Sequence, residues 1–141
     1  MIKQFSAKVS YTLLGFVFLV FYTRLIYTLI KGEINKGVIA IFIFLTLIFA
    51  FILHLFFKTR YTIEGNILKI KSGIISYKPI NINEIKEISK TNNIISSPAP
   101  SFDRIEIKYG KFDEIIISPK DKLDFVNEIK KINPNIKSDI V

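Results

Sequence analysis

The chain of 141 residues contains no cysteine and no tryptophan, and its single histidine is His54. Without thiols there is no disulfide framework, no thiolate zinc site and no cysteine nucleophile. One imidazole does not make a metal cluster, so redox and zinc chemistry fall away together. Acids are also scarce: twelve Asp and Glu face twenty Lys and Arg, for a formal net charge of +8. The excess is not a polybasic block. Residues 1–57 hold five basic side chains and one acidic, and residues 58–141 hold fifteen and eleven, so each part carries +4. Interspersed charge with no basic stripe of stacking aromatics argues against a nucleic-acid partner.

Catalytic constellations are missing as well. The sequence has no glycine-rich phosphate loop, no serine, histidine and acid set outside its apolar runs, and no metal-ligand spacing. Asp121 and Asp124 share a helical face, but Asp121 is better placed as a cap; Glu84 with Glu87, and Asp113 with Glu114, are solvated acids mixed with lysines. The chain is read as a non-enzyme that needs no cofactor and no metal.

What is abundant is apolar surface. Half of the residues are hydrophobic and the mean hydropathy is +0.37, too apolar for a soluble domain of this size. Ten of the thirteen Phe precede Lys58, which divides the chain into residues 1–57 and 58–141. Residues 11–30 carry only Arg24, and residues 38–57 carry only His54, as ionisable side chains other than tyrosine. Each run would reach about 30 Å as a helix, the thickness of a bilayer's hydrocarbon core. Both read as transmembrane spans, joined by the short polar segment 31–37 into an antiparallel hairpin. A cleaved signal peptide is the rival reading of the first run, which is too long and lacks a small-x-small site.

Basic residues near the span ends set the expected orientation. Lys3 and Lys8 precede the first span, Lys58 and Arg60 follow the second, and the loop's Lys31 and Lys36 are partly offset by Glu33. Both termini are therefore expected in the cytoplasm, with Arg24 the one charge that counts against it. Arg24 and His54 would sit at opposite depths and would not pair; each lies near enough to an interface to snorkel. Tyr11, Tyr27 and Tyr61 occupy interfacial anchoring positions.

After Lys58 the pattern alternates. Residues 60–64 and 67–71 flank Gly65-Asn66 as a hairpin, and Ser72-Gly73 leads to a third strand through residues 74–77. Residues 79–90 read as a strand, a short turn and another strand, and residues 91–101 as a loop. Residues 104–109 form the clearest strand, Ile105, Ile107 and Tyr109 facing one way; Gly110-Lys111 turns the chain and residues 112–117 return. Ser118-Pro119-Lys120-Asp121 reads as a helix start with Ser118 as cap. Leu123, Phe125, Val126, Ile129 and Ile132 make the apolar stripe, and Asn133-Pro134 stops the helix.

Strands first and one amphipathic helix last is the order of a pleckstrin-homology-like barrel. The predicted class is α+β: a two-helix transmembrane hairpin, then an antiparallel β-barrel or roll capped by a C-terminal helix. The run Ser97-Pro98-Ala99-Pro100-Ser101-Phe102-Asp103-Arg104-Ile105-Glu106-Ile107-Lys108-Tyr109, with Ile117-Ser118-Pro119-Lys120-Asp121 and Phe125, resembles the YyaB-like type of bacterial PH domain. The resemblance covers roughly residues 60–136 and implies a fold and a membrane-tethered topology rather than a reaction. Ser101, Asp103 and Arg104 match its motif and are the candidate partner-binding residues. The competing structural reading has Ser101 capping a turn and Asp103 pairing with Arg104 or a loop amide.

Many phosphoinositide-binding PH domains cradle phosphates with a long loop between their first two strands. Here that connection is only Gly65-Asn66, so a specific headgroup is not expected. Lys58, Arg60, Lys69 and Lys71 read instead as a basic collar at the membrane surface. The expected function is a non-catalytic adaptor that contacts a protein partner through an open strand edge or residues 91–101. The alternative is self-immunity against a bacteriocin-type toxin, which a toxin gene beside this one would favour.

Overall fold

The computed structural model describes residues 2–94 and 98–140, and it divides into two units: residues 11–54, and residues 1–10 together with 55–141. The first unit is the helical hairpin. Helix α1 (Tyr11–Ile30) and helix α2 (Lys36–Phe57) are both long and apolar enough to cross a membrane. Their turn has a physical cause at each end. Gly32 takes a left-handed conformation at φ 72° and donates to Leu29 O, closing α1; Asn35 accepts from Val38 N at 3.0 Å, opening α2 two residues before the predicted start. The seam between the helices is aromatic with one polar rivet. The Tyr22 hydroxyl donates to Thr46 Oγ1 at 3.0 Å, amid ring contacts with Phe18, Phe42 and Phe49. Arg24 and His54 are exposed.

The second unit contains two sheets and a helix. The first sheet runs β1 (Ile2–Ser6), β2 (Thr59–Glu64), β3 (Ile67–Ser72) and β4 (Ile75–Ser76), with β5 (Ile80–Asn81) also on β3, all antiparallel. A single 3₁₀ turn, Ile82–Glu84, leads to β6 (Ile85–Thr91). The second sheet has the order β8 (Asp113–Ile117), β7 (Arg104–Tyr109), β6, β9 (Lys137–Ser138), its last pair parallel. The α+β class and the strands-then-helix order agree with the sequence reading. Residues 91–101 form the end of β6 and the predicted loop, whose Ile95, Ser96 and Ser97 lie outside the described residues.

Three features depart from expectation. Residues 2–6, assigned from sequence to the hairpin part, form a strand paired residue by residue with β2, Ile2 opposite Glu64 and Ser6 opposite Arg60. Only Phe5 of this strand is buried, so its apolar signal is one side chain deep. Helix α3 (Lys122–Ile132) begins later than predicted: its cap is Asp121, whose carboxylate accepts from Asp124 N at 3.0 Å, while Ser118 is wholly buried before it. Tyr61 is no interfacial anchor but a fully buried core residue.

Between the sheets, Ile63, Leu68, Ile70, Ile88, Ile105, Ile107 and Ile117 fill one core, on which α3 lays Phe125, Val126 and Ile129. Phe125 is the keystone of that contact. Its ring meets Phe5 edge-on at 5.2 Å and Tyr61 at 6.1 Å, so residues before and after the hairpin share one aromatic cluster. Lys3 reinforces it from outside with ion pairs to Glu128 at 3.0 Å and Asp124 at 3.3 Å. Phe125→Ala should cost about 3–5 kcal/mol in denaturant unfolding of the detergent-solubilised full chain. A loss below about 1 kcal/mol would place the keystone elsewhere.

Candidate functional site

The residues singled out from sequence fall into two places, and the loop set comes first. Ser101 and Arg104 are buried at 2% and 7% exposure, whereas Asp103 faces solvent. The Ser101 hydroxyl accepts from Asp103 N at 3.2 Å, the turn cap anticipated above. Arg104 donates through Nε to Ser101 O at 2.5 Å and through an η nitrogen to Asn93 O at 3.3 Å, so one guanidinium spans both ends of the loop. Burial lowers the pKa of this guanidinium, which stays protonated because its usual value is so high.

Asp103 does not pair with Arg104. Its carboxylate receives Lys122 at the start of α3 and Lys8 at 2.8 Å from the segment before α1, and these two ammonium groups hold it below the usual carboxylate range. The loop motif thus gathers three distant segments: residues 98–104, the start of α3, and residues 6–10.

Backbone bonds draw the same three together. Lys8 N donates to Ser118 O at 2.7 Å, Lys120 N to Ser6 O at 3.0 Å, and Ser10 N to Pro100 O at 3.0 Å. At their centre the Tyr61 hydroxyl donates to Pro98 O at 2.7 Å and accepts from Ser118 N at 3.1 Å. Desolvation pushes this phenol well up, so it remains a neutral donor. Nothing in the alternation of β2 distinguishes Tyr61 from an ordinary core position, and sequence reasoning had given it another role.

The basic set lies on β2 and β3. Arg60, Lys69 and Lys71 share the outward face, with Arg60 directly opposite Lys71, and Lys58 precedes β2. Lys69 is engaged by Glu64, whose carboxyl it pulls below the usual range. Among the described residues no carboxylate pairs with Lys58, Arg60 or Lys71.

A third feature was not foreseen in its details. A cleft of about 330 Å³ opens between the Tyr77-Lys78 segment after β4 and the outermost strand of the other sheet, β8. Tyr77, Tyr109, Ile115 and Ile116 supply its walls, with Lys78 and Glu114 as its charges and Asn93 and Pro98 from the loop. Desolvation raises the pKa of both tyrosines, so each keeps its hydroxyl proton. Among the described residues no group of three or more His, Asp or Glu converges for a metal ion.

Two sheets, a capping C-terminal helix and a strand-edge cleft define a PH-like domain. A sequence model of the family described as Bacterial PH domain matches residues 59–133, just over half of the chain, and the protein belongs to that family. Searches of curated proteins and of solved structures returned no match. PH domains are in general non-catalytic binding modules.

The Asp103 pairs make a pH prediction. Because its pKa is depressed in the folded state, the stabilisation is complete above the unfolded value of about 3.9 and is lost as pH falls through the folded value. Wild type should exceed Asp103→Asn in unfolding stability by at most about 1 kcal/mol near neutrality, given solvent screening. The gap should hold down to about pH 5 and close below about pH 4. A gap that persists unchanged at about pH 2.5 would remove the ion pairs from the account.

Proposed function

We propose that the protein is a non-catalytic, membrane-tethered binding module that takes an extended segment of a protein partner into the cleft between β4 and β8. The observation that carries this reading is the cleft's position. It joins the outer edge of β8, which has β7 as its only sheet neighbour among the described strands, to the loop of residues 91–101. An added strand would satisfy the backbone groups of that edge, and the tyrosine-lined hollow would receive one or two of its side chains. Ser101 and Arg104 serve by holding the loop wall in place, and Asp103 by tying it to α3. Within the bacterial PH domains, the Asp103-Arg104-Ile105 strand start and the Ile117-Ser118-Pro119 segment support placing the chain with the YyaB-like type.

Two membrane spans provide the tether. The pairing of β1 with β2 supports this topology independently of charge counting, because strands on either side of the hairpin share a sheet and must lie on the same side of a bilayer. The surplus of lysine and arginine on those flanks favours the cytoplasmic side. Residues 1–57 as hairpin and 58–141 as cytoplasmic domain remain the organising division, with residues 2–6 contributing to the latter's sheet.

A photo-reactive amino acid at Glu114, in the full chain in native membranes, should form a discrete protein adduct that Lys78→Trp, which fills the cleft mouth, abolishes. The same adduct formed from Lys130 on α3, or one indifferent to Lys78→Trp, would overturn the cleft as the docking site. For topology, protease added to intact cells should spare a C-terminal tag and remove it only after lysis; loss from intact cells would reverse the orientation.

A further inference from the structure

We propose that the β3–β4 turn is a second membrane contact, its Ile74 and Ile75 inserted into an anionic lipid surface beside the end of α2. This inference rests on α2 being a membrane span. Ile74 is 72% exposed and Ile75 43%, at the tip of a turn that Gly73 makes possible with φ 57°. Two adjacent exposed isoleucines have no role in the core. Their position in the chain gives them one. Gly73 N donates to Lys58 O at 3.2 Å, and Lys58 follows directly on Phe57, the last residue of α2.

Hydrogen bonds add to this connection. Thr59 Oγ1 donates to Leu55 O at 2.6 Å and accepts from Ser72 Oγ at 2.8 Å, which lies 3.3 Å from the same carbonyl. Leu55 O is therefore tied to the strands that carry the tip. If Lys58 is at the interface, the hydrogen-bonded Gly73 is there too.

Charge identifies the surface. Arg60 and Lys71 are direct cross-strand neighbours, an arrangement that repels unless an anion lies over it. They are the outward pair nearest the turn, and Lys69 follows about 7 Å further along the strand, at a rise of about 3.3 Å per residue. That distance is comparable to the Debye length of about 8 Å at physiological salt, so the bilayer's attraction weakens appreciably between this pair and Lys69. Apolar tip and basic flank together match a lipid surface, with phosphates over Arg60 and Lys71 and acyl chains around Ile74.

The chain has no tryptophan, so single reporters can be placed in the full-length protein in lipid nanodiscs. Ile74→Trp should emit at shorter wavelength, and be quenched by brominated lipid, in discs rich in phosphatidylglycerol. Phe112→Trp, at the 91%-exposed tip of the β7–β8 turn, should behave as a solvent-exposed control. Adding Arg60→Glu and Lys71→Glu should weaken the Ile74→Trp quenching in anionic discs and leave it unchanged in phosphatidylcholine. Leu47→Trp in α2 separates the two possible failures. Strong quenching at position 47 with none at 74 would overturn the tip contact alone; no quenching at 47 would overturn the membrane span and the tip contact with it.

Discussion

The Tyr61 hydroxyl sits in a place where water cannot reach and where two chain segments need a partner at once. Pro98 offers it a carbonyl and Ser118 an amide, and both would otherwise be buried unpaired at a cost of about 1–3 kcal/mol each. A phenol is suited to this because it is neutral, donates and accepts, and brings a ring that packs on Phe125. Satisfying Ser118 N from β2 leaves Ser118 O for Lys8 N, and holding Pro98 leaves Pro100 O for Ser10 N. One side chain thereby fixes the loop, the approach to α3 and the segment leading into α1.

That organisation explains how a hairpin can interrupt a domain without dividing it. Forty-four residues, 11–54, separate β1 from the rest of its sheet, yet the sheet closes around them because Phe5, Tyr61 and Phe125 form one cluster. In the proposed arrangement the bilayer assists, since both ends of an even number of spans return to the same face. The hairpin then holds β1 near β2, reducing the entropy cost of that pairing relative to a free loop of equal length.

Much of this was legible in the sequence wherever a period ran for several residues. The two long apolar helices, the Gly65-Asn66 hairpin, the strand at residues 104–109 and the stripe of α3 each repeat a signal that single positions cannot overturn. Where one residue carries the information, reading failed. β1 buries only Phe5, so no alternation marks it as a strand. Ser118-Pro119 looks like a helix start because serine caps and proline opens helices, but Ser118 N is taken by Tyr61 and Pro119 by a bridge to Ala7, leaving Asp121 to cap. Asp103 and Arg104 are adjacent in sequence yet have different partners, because Asp103 ends the bend and faces Lys8 and Lys122 while Arg104 opens β7 and is buried under the loop. The cleft was legible only as its ingredients, an open edge and a loop; that they meet depends on how the two sheets fold over one another.

The account stands on Tyr61 coupling segments that are remote in sequence, and amide hydrogen exchange on Tyr61→Phe in the full chain tests this most directly. Loss of the hydroxyl should speed exchange at Ser118, Lys8 and Ser10 together, while amides between β6 and β7, such as Ser89 and Glu106, keep their protection. Faster exchange confined to Ser118, with Lys8 and Ser10 as protected as in wild type, would contradict it.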